Sequence, residues 1–169
     1  LPQAEPSLKI TYVQPKDFTG LLRYVRNILV VTIDPTAYTK VSVGYENNVW
    51  ARGQVVVSLK APNTESIVEY SKTHEKALVD FFVKVEMNRA IEQLQKEYSM
   101  VVMDNLKSDL NVMLNAPANF TYYKDTTDFF WSSNNANTGR MDLIVYTFPY
   151  TDPNTFTEEY LVAKRDSVL

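Results

Sequence analysis

The sequence has no cysteine, one histidine (His74) and only four glycines among its 169 residues. Without cysteine the chain can form no disulfide and offers no thiolate as nucleophile or metal ligand. A single histidine also argues against a zinc site, because such sites use several histidine or cysteine ligands. The glycines are not spaced as in G-x-G-x-x-G or G-x-x-x-x-G-K loops, and there is no G-x-S-x-G elbow. We therefore predict no metal, no cofactor and no assignable catalytic residue.

Excess positive charge and long apolar runs are also missing. The formal net charge is -3 and the sequence pI is about 5.2, which argues against binding a nucleic-acid backbone. No apolar run approaches the roughly 20 residues that span a bilayer. The chain starts without methionine and ends within a helical pattern, so we expect a fragment of a longer protein. Membrane association would then come only through an anchor outside this fragment.

The middle of the chain, residues 63–116, contains neither glycine nor proline. Asn63 is a suitable N-cap, and the pattern predicts a helix over residues 64–106. Its apolar residues form two stripes on opposite faces that overlap over residues 78–87. We expect that segment to be buried on both sides, with a bend or change of packing partner near Asn88 and Arg89.

Strand-like segments flank this helix, rich in valine, isoleucine, threonine and tyrosine. Those before it are residues 8–12, a 26–33 strand that is apolar on both faces and therefore predicted to be central, and a 40–46/52–60 hairpin. Those after it are residues 110–114, 120–123, 129–132 and 141–148. The spacing of Thr155 and Glu158 predicts a capping box that opens a C-terminal helix.

These elements predict an α+β fold in which mostly antiparallel sheet packs against one long central helix and a C-terminal helix, as a two-layer sandwich. We interpret residues 1–169 as one compact fragment, with two halves, 1–62 and 107–169, sharing the 64–106 helix. A single continuous sheet is the alternative.

Candidate ligand-binding residues are polar or aromatic side chains at strand ends. Trp50, Arg52 and Gln54 lie beside the predicted hairpin turn, where Arg52 and Gln54 would recognise a polar ligand. About half of the aromatic residues fall between residues 120 and 160. Trp131, Tyr146 and Tyr150 among them would stack a sugar ring or accept a partner strand. Burial in the core is the competing interpretation of the aromatics, and a structural role competes for the hairpin residues.

Other titratable residues give weaker signals. His74 lies on an apolar stripe, where a structural role is the simpler interpretation. Asp125 and Asp128 flank a predicted turn, and Glu158 and Glu159 open a helix, where acidic residues are common in any case. The sequence therefore does not identify a carboxylate pair for acid–base catalysis.

Several stretches resemble a known family. They are LPQAEP at residues 1–6, RNIL at 26–29, ARGQVV at 51–56, DFFW at 128–131 and RDS at 165–167. Together, over essentially the whole chain, they resemble a Bacteroidetes family catalogued as domain of unknown function 4837, whose members are mostly predicted cell-envelope lipoproteins. The resemblance implies an envelope location, periplasmic or anchored at the outer membrane, with a signal sequence and lipid-attachment cysteine upstream. It implies no catalytic residue.

Two functions remain open from the sequence. The leading one is a non-catalytic binding or structural module of the cell envelope whose partner is an envelope protein or a glycan. The alternative is a carboxylate-dependent hydrolase acting on cell-wall or glycan material. A deep cleft that brings two acids together would favour the hydrolase.

Overall fold

The computed structural model describes residues 7–168, so the stretch at residues 1–6 lies outside the described part. Strands and helices are both present throughout that part, which confirms the α+β fold with a long helix and a C-terminal helix. The chain divides into two compact units, Leu1–Ala90 and Ile91–Leu169.

The first unit contains a mixed three-stranded sheet built from β1 (Asn27–Ile33), β2 (Ser42–Asn47) and β3 (Val55–Ala61). The order is β1-β3-β2, with β3 parallel to β1 and antiparallel to β2. The predicted hairpin is confirmed as β2 and β3. The prediction that residues 26–33 form a central strand is wrong, because β1 lies at the edge and β3 occupies the centre. Apolar residues on both faces report what covers a strand, not how many strands flank it.

One face of this sheet packs against helix α1 (Thr64–Lys96). Val55 and Val57 contact Phe82, and partly buried Phe81 and Val85 extend the cluster. Residues 8–12 do not form the predicted strand: Leu8 packs against this cluster, but the side chains that follow it point largely to solvent.

Helix α1 is joined to the start of β1 by a polar cluster centred on Glu86. Its Oε1 lies 2.7 Å from Arg89 Nη1 and 3.1 Å from Arg26 Nε, and it also accepts a hydrogen bond from Asn27 Nδ2. Arg89 donates a second hydrogen bond to Asn27 Oδ1 at 2.7 Å and a third to the carbonyl of Arg26 at 3.1 Å. The cluster therefore fixes where the helix crosses the end of the strand.

The predicted helix over residues 64–106 is two helices. Asn63 does cap α1, since its Oδ1 accepts a hydrogen bond from Ser66 N at 2.9 Å. The backbone kinks at His74, where φ is -121°, and α1 ends at Lys96. The bend predicted at residues 88–89 therefore lies elsewhere. The boundary between the two compact units, however, falls directly after Ala90, next to the predicted change of packing partner.

A second helix, α2 (Met100–Leu110), begins after Ser99. The Ser99 hydroxyl accepts a hydrogen bond from Val102 N and donates one to the carbonyl of Phe120 at 2.6 Å. A local capping residue thus restarts the helix where the glycine- and proline-free pattern predicted continuity.

The expectation that residues 78–87 are buried on both sides is wrong. Phe82 alone is buried in that segment, while Leu78 and Val85 are half-buried and Met87 is 58% exposed. Only the stripe that meets the sheet is covered within the described residues.

The second unit contains an antiparallel three-stranded sheet of β4 (Tyr122–Thr126), β5 (Phe129–Ser133) and β6 (Asp142–Tyr146), in the order β4-β5-β6. Helix α2 packs against it. The buried side chains of this core are Val102, Leu106, Ala116, Phe120 and Phe130. Each unit therefore has its own core, made of one sheet and one helix.

Two predictions in the second unit are wrong. Residues 110–114 are not a strand, because α2 continues to Leu110 and ends on Asn111, whose φ of 53° is left-handed and whose N–H bonds the carbonyl of Leu106. The C-terminal helix α3 (Glu158–Val168) exists, but Thr155 does not cap it. Thr155 is buried in a 3₁₀ turn (Pro153–Phe156), and the Thr157 hydroxyl accepts the hydrogen bond from Tyr160 N at 3.4 Å.

Candidate binding surfaces

The hairpin residues of the first unit are separated by the fold into buried and exposed groups. Gln54 is 1% exposed, and its Nε2 donates to the carbonyls of Arg23 and Val25, both at 2.7 Å. Its Oε1 accepts from Trp50 N at 3.0 Å. The side chain thus holds the turn against the preceding segment, and any ligand role for Gln54 would need this bonding to break.

Trp50 and Arg52 face outward from the same turn. Trp50 is 37% exposed and meets the Phe18 ring edge-on at a centroid distance of 5.5 Å. Arg52 is exposed and makes no ion pair with any residue between 7 and 168. These two residues remain candidate ligand contacts, while the structure gives Gln54 a structural role.

The three candidates of the second unit also differ. Trp131 is half-buried, and its Nε1 donates to Asp142 Oδ1 at 3.0 Å. Arg140 approaches the same carboxylate and, as the largest cause, holds the pKa of Asp142 below its usual value. Tyr146 is half-buried and stacks on Phe148 with centroids 6.1 Å apart. Tyr150 alone of the three is largely exposed, at 65%.

Aromatic side chains line the chain from the end of β6 to α3. The Phe148 ring lies between Tyr146 and Tyr160, with centroids 6.1 and 6.2 Å away, and Lys164 Nζ lies 4.9 Å from its centroid. These contacts join the extension of β6 to the helix that follows it. Their role is mainly to place α3.

Beyond this row the aromatic residues are open to solvent. Tyr150 and Phe156 pair with centroids 5.6 Å apart, and Phe156 is 77% exposed. Phe156 also lines a shallow groove along α3 with the apolar side chains Leu161 and Val162. We call Tyr150, Phe156, Leu161 and Val162 the aromatic surface. Glu158 and Arg165 lie at the same groove, so an apolar centre is bordered by one charge of each sign.

Two carboxyl groups far apart in sequence meet in the second unit. Asp109, in the last turn of α2, is hydrogen-bonded to Asp125 of β4. This bond is the largest cause that raises the pKa of Asp125. A hydrogen bond from Ser108 (2.5 Å) is the largest cause that lowers the pKa of Asp109. The pair therefore holds one proton over a window of acidic pH.

Sequence reasoning missed both features for identifiable reasons. Phe156 lies next to Thr155, where the sequence predicts the start of a helix, and nothing local indicates that its ring is exposed. Asp109 and Asp125 are brought together by packing of α2 on the sheet, so no spacing rule finds them. Asp128, which lies close to Asp125 in sequence, instead accepts a hydrogen bond from the Thr147 hydroxyl at 3.0 Å.

His74 lies at the kink of α1 and is exposed. Its ring stacks on Tyr70 at 4.0 Å, and its Nδ1 lies 2.8 Å from the Thr73 hydroxyl and 3.1 Å from the carbonyl of Tyr70. These contacts within one helix favour the structural role. Within residues 7–168 no group of three or more histidine or acidic side chains could hold a metal ion. In the same range no helix is both long and apolar enough to cross a membrane.

Comparison with known proteins divides the chain close to where the structure does. A family model described as a domain of unknown function, DUF8532, matches residues 1–95, and a second, DUF4837, matches residues 99–169. The resemblance to family 4837 is thus supported for the second unit, while residues 1–95 match a different model. No curated protein and no solved structure matches the chain. Because the first match covers more than half of its length, the chain belongs to the DUF8532 family, followed by a region that matches DUF4837.

Proposed function

We propose that this protein is a non-catalytic binding module of the bacterial cell envelope, and that the aromatic surface of its second unit binds a protein partner. The observation that carries the proposal is the exposure of Phe156, at 77%, beside an apolar groove on α3. Exposed large aromatic side chains are costly to solubility and are enriched at the centres of protein interfaces.

The arrangement around Phe156 resembles the usual anatomy of such an interface. Leu161 and Val162 provide an apolar centre, and Glu158 and Arg165 provide charges beside it. Leu161 and Val162 lie on helix α3, and Phe156 ends the hydrogen-bonded 3₁₀ turn before it, so this part of the surface is formed before a partner binds. A preformed surface limits the ordering entropy lost on binding.

The envelope location is supported by the match of residues 99–169 to DUF4837 together with the resemblance to predicted lipoproteins of that family. A glycan is the other partner class that an exposed aromatic pair fits, since sugar rings stack on tyrosine and phenylalanine. The groove favours a protein, because Phe156, Leu161 and Val162 give its lining an apolar centre of the kind found in protein interfaces.

A matched pair of variants tests the proposal. Phe156→Ser removes the most exposed ring of the surface, whereas Tyr12→Ser removes an equally exposed ring, 81%, in the other unit. In capture from envelope extracts, the native chain and Tyr12→Ser should retain one stoichiometric partner. Phe156→Ser should lose about 30-fold in affinity for that partner, as a central aromatic residue does.

Two results would contradict the binding of a protein partner at the aromatic surface. Equal retention by both variants would place the binding site elsewhere. Recovery of cell-wall polysaccharide instead of protein, again lost in Phe156→Ser, would assign the same surface to a glycan.

The hydrolase alternative has one specific observation in its favour, the Asp109–Asp125 pair. Its carboxyl groups are hydrogen-bonded to each other, which is closer than the roughly 5–9.5 Å between the two acids of most glycosidases. The groove along α3 and a second groove along the first turns of α1 are lined by other residues. Hydrolysis of a glycan substrate that is lost in Asp125→Asn but kept in Phe156→Ser would support an enzyme instead.

A further inference from the structure

Strand β1 has the sequence of a central strand and the position of an edge strand. Its seven residues, Asn27–Ile33, include no charged side chain, and six of them are apolar or threonine. Among residues 7–168, β3 is the only strand that pairs with it. Natural edge strands are normally protected by charge, proline or a bulge, and β1 has none of these within its length.

The exposed side chains of β1 form a continuous row. Leu29, Val31 and Ile33 are 45%, 47% and 46% exposed, and they lie beside the buried Val57, Leu59 and Ala61 of β3 in the register of the sheet. Each of these side chains therefore keeps nearly half of its surface open to solvent in a single copy of the chain.

The hydrogen-bonding groups of the open edge can be assigned from the ladder. The carbonyl of Arg26 accepts from Val55 N at 2.8 Å, and Asp34 N donates to the carbonyl of Ala61 at 3.0 Å. Even-numbered residues of this segment therefore face β3. The alternation of a strand then points the N–H and C=O groups of the odd-numbered residues away from the sheet.

We propose that two copies of this chain pair through β1, antiparallel about a twofold axis at Val30, to form one continuous six-stranded sheet. In this register Leu29 lies opposite Val31 of the second copy, and Asn27 lies opposite Ile33. These are the residues whose backbone groups face outward, so the pairing forms about eight hydrogen bonds between the two strands. The apolar row of each copy covers the row of the other.

Charge complementarity at the ends of β1 selects a second copy as the occupant. The same register places Arg26 opposite Asp34 of the other copy, at both ends of the paired strands. The Arg26 side chain is 71% exposed, with Nε near Glu86, and its terminal nitrogens make no hydrogen bond within residues 7–168. Asp34 uses Oδ1 for Thr36 and Ala37, which leaves Oδ2 for the incoming guanidinium.

The ionisation of Asp34 agrees with this contact. Hydrogen bonds from the Thr36 side chain, as the largest cause, and from the backbone of Thr36 and Ala37 lower the pKa of Asp34. Its carboxylate is therefore charged at neutral pH. Each end of the paired strands would carry one ion pair, and the centre would be free of charge.

The other edge of the same sheet lacks this self-complementarity. On β2, hydrogen bonding of Asn48 N to the carbonyl of Gln54 shows that even-numbered residues face β3. Glu46 lies within β2 itself, so self-pairing of β2 would place this charge between the paired strands, where a charge on an edge strand opposes pairing. β2 therefore serves as the control edge.

The absence of cysteine in the native chain makes cross-linking a direct test. At the proposed axis the two Val30 residues form a non-hydrogen-bonded pair with Cα atoms about 4.5 Å apart, within the roughly 4.4–6.8 Å of disulfides. Val30→Cys should oxidise to a covalent dimer. The matched control Thr32→Cys, on the same face, should stay monomeric, because its two copies lie roughly 13 Å apart.

A second pair of variants avoids any covalent step. Val31→Lys places a charge on the outward row and should weaken dimerisation at least about tenfold in sedimentation equilibrium. Val43→Lys, at a similarly exposed site on β2, 42%, should leave the dimer unchanged. Circular dichroism of each variant confirms that the chain is folded.

Three results would overturn the proposal. One is a native chain that stays monomeric up to about millimolar concentration. Another is equal cross-linking of Val30→Cys and Thr32→Cys. The third is equal weakening by Val31→Lys and Val43→Lys, which would place the interface elsewhere.

Discussion

Both units pack a three-stranded sheet against a helix, but the edge strands of the two sheets differ in their charge. In both, a three-stranded sheet places its most buried strand in the centre and one helix against a face. In the first unit the outer strand β1 has no charged residue. In the second, β4 contains Lys124 and Asp125, and β6 begins at Asp142. Charges on edge strands prevent unwanted pairing. Among the edge strands of residues 7–168, β1 alone has no charged residue, so β1 is the edge best suited to accept another strand.

The aromatic surface lies in the other unit. The pair with the groove, Tyr150 and Phe156, belongs to the second unit, which matches DUF4837. The uncharged strand edge belongs to the unit that matches DUF8532. We infer that association of copies and recognition of a partner are assigned to different parts of the chain.

The largest expected effects come from the two cores. Leu59 in the first unit and Leu106 in the second are 1% and 0% exposed, so alanine at either position should cost about 2–5 kcal/mol of unfolding free energy. Each unit contains one of the two tryptophans, Trp50 or Trp131. Urea unfolding of Trp131→Phe therefore reports the first unit, and Trp50→Phe reports the second.

Each leucine variant should shift the transition of its own unit more than that of the other. Equal shifts of both reporters by both variants would show that the chain unfolds as a single unit, which would contradict the assignment of a separate core to each unit.

An intermediate effect is expected for Glu86, which joins α1 to the start of β1. Glu86→Gln keeps the shape but removes the charge that faces Arg26 and Arg89, so we expect a loss of about 1–2 kcal/mol in the first unit. Asp80→Asn is the control, because its pair with Lys76 is a solvent-exposed contact within the helix and should cost at most about 0.5 kcal/mol. Equal losses of unfolding free energy for Glu86→Gln and Asp80→Asn, measured by urea unfolding, would show that the cluster around Glu86 does not stabilise the first unit.

The smallest effect concerns the Asp109–Asp125 pair of the second unit. The raised pKa of Asp125 adds stability below its unfolded value, and this is lost as pH rises through the folded pKa. The lowered pKa of Asp109 adds stability above its unfolded value, and this is lost as pH falls. The pair is therefore most stabilising between the two folded pKa values.

Asp125→Asn should flatten this dependence, because an amide can donate to Asp109 at every pH. Thermal unfolding of Trp50→Phe chains with and without Asp125→Asn, followed by Trp131 fluorescence from about pH 3 to about pH 7, measures it. A native profile unchanged by Asp125→Asn would show that the two carboxyl groups do not share a proton.

The sequence predicted the type of each element better than it predicted which elements lie next to each other. The hairpin of β2 and β3, the cap at Asn63 and the C-terminal helix follow from local patterns, and each is present. The central position of β1 could not be predicted, because apolar faces do not specify strand order. Likewise, the break at Ser99 depends on a hydrogen bond to Phe120, 21 residues away.

The candidate sites were predictable only in part. Tyr150 was identified from the aromatic pattern and is exposed, whereas Gln54 resembled a ligand contact and is buried in a turn. A sequence gives the chemical groups of such residues but not their burial, which is set by segments distant in the chain. The exposure of Phe156 and the proximity of Asp109 and Asp125 are likewise set by segments distant in the chain.

The difference between the two sheet edges is tested most directly by amide hydrogen exchange at several protein concentrations. The outward amides of Leu29 and Val31 should become more protected as concentration rises. In the two-residue hairpin of β4 and β5, the outward amides are those of Tyr123 and Asp125, and they should exchange rapidly at every concentration. Equal, concentration-independent exchange of both pairs would contradict the account.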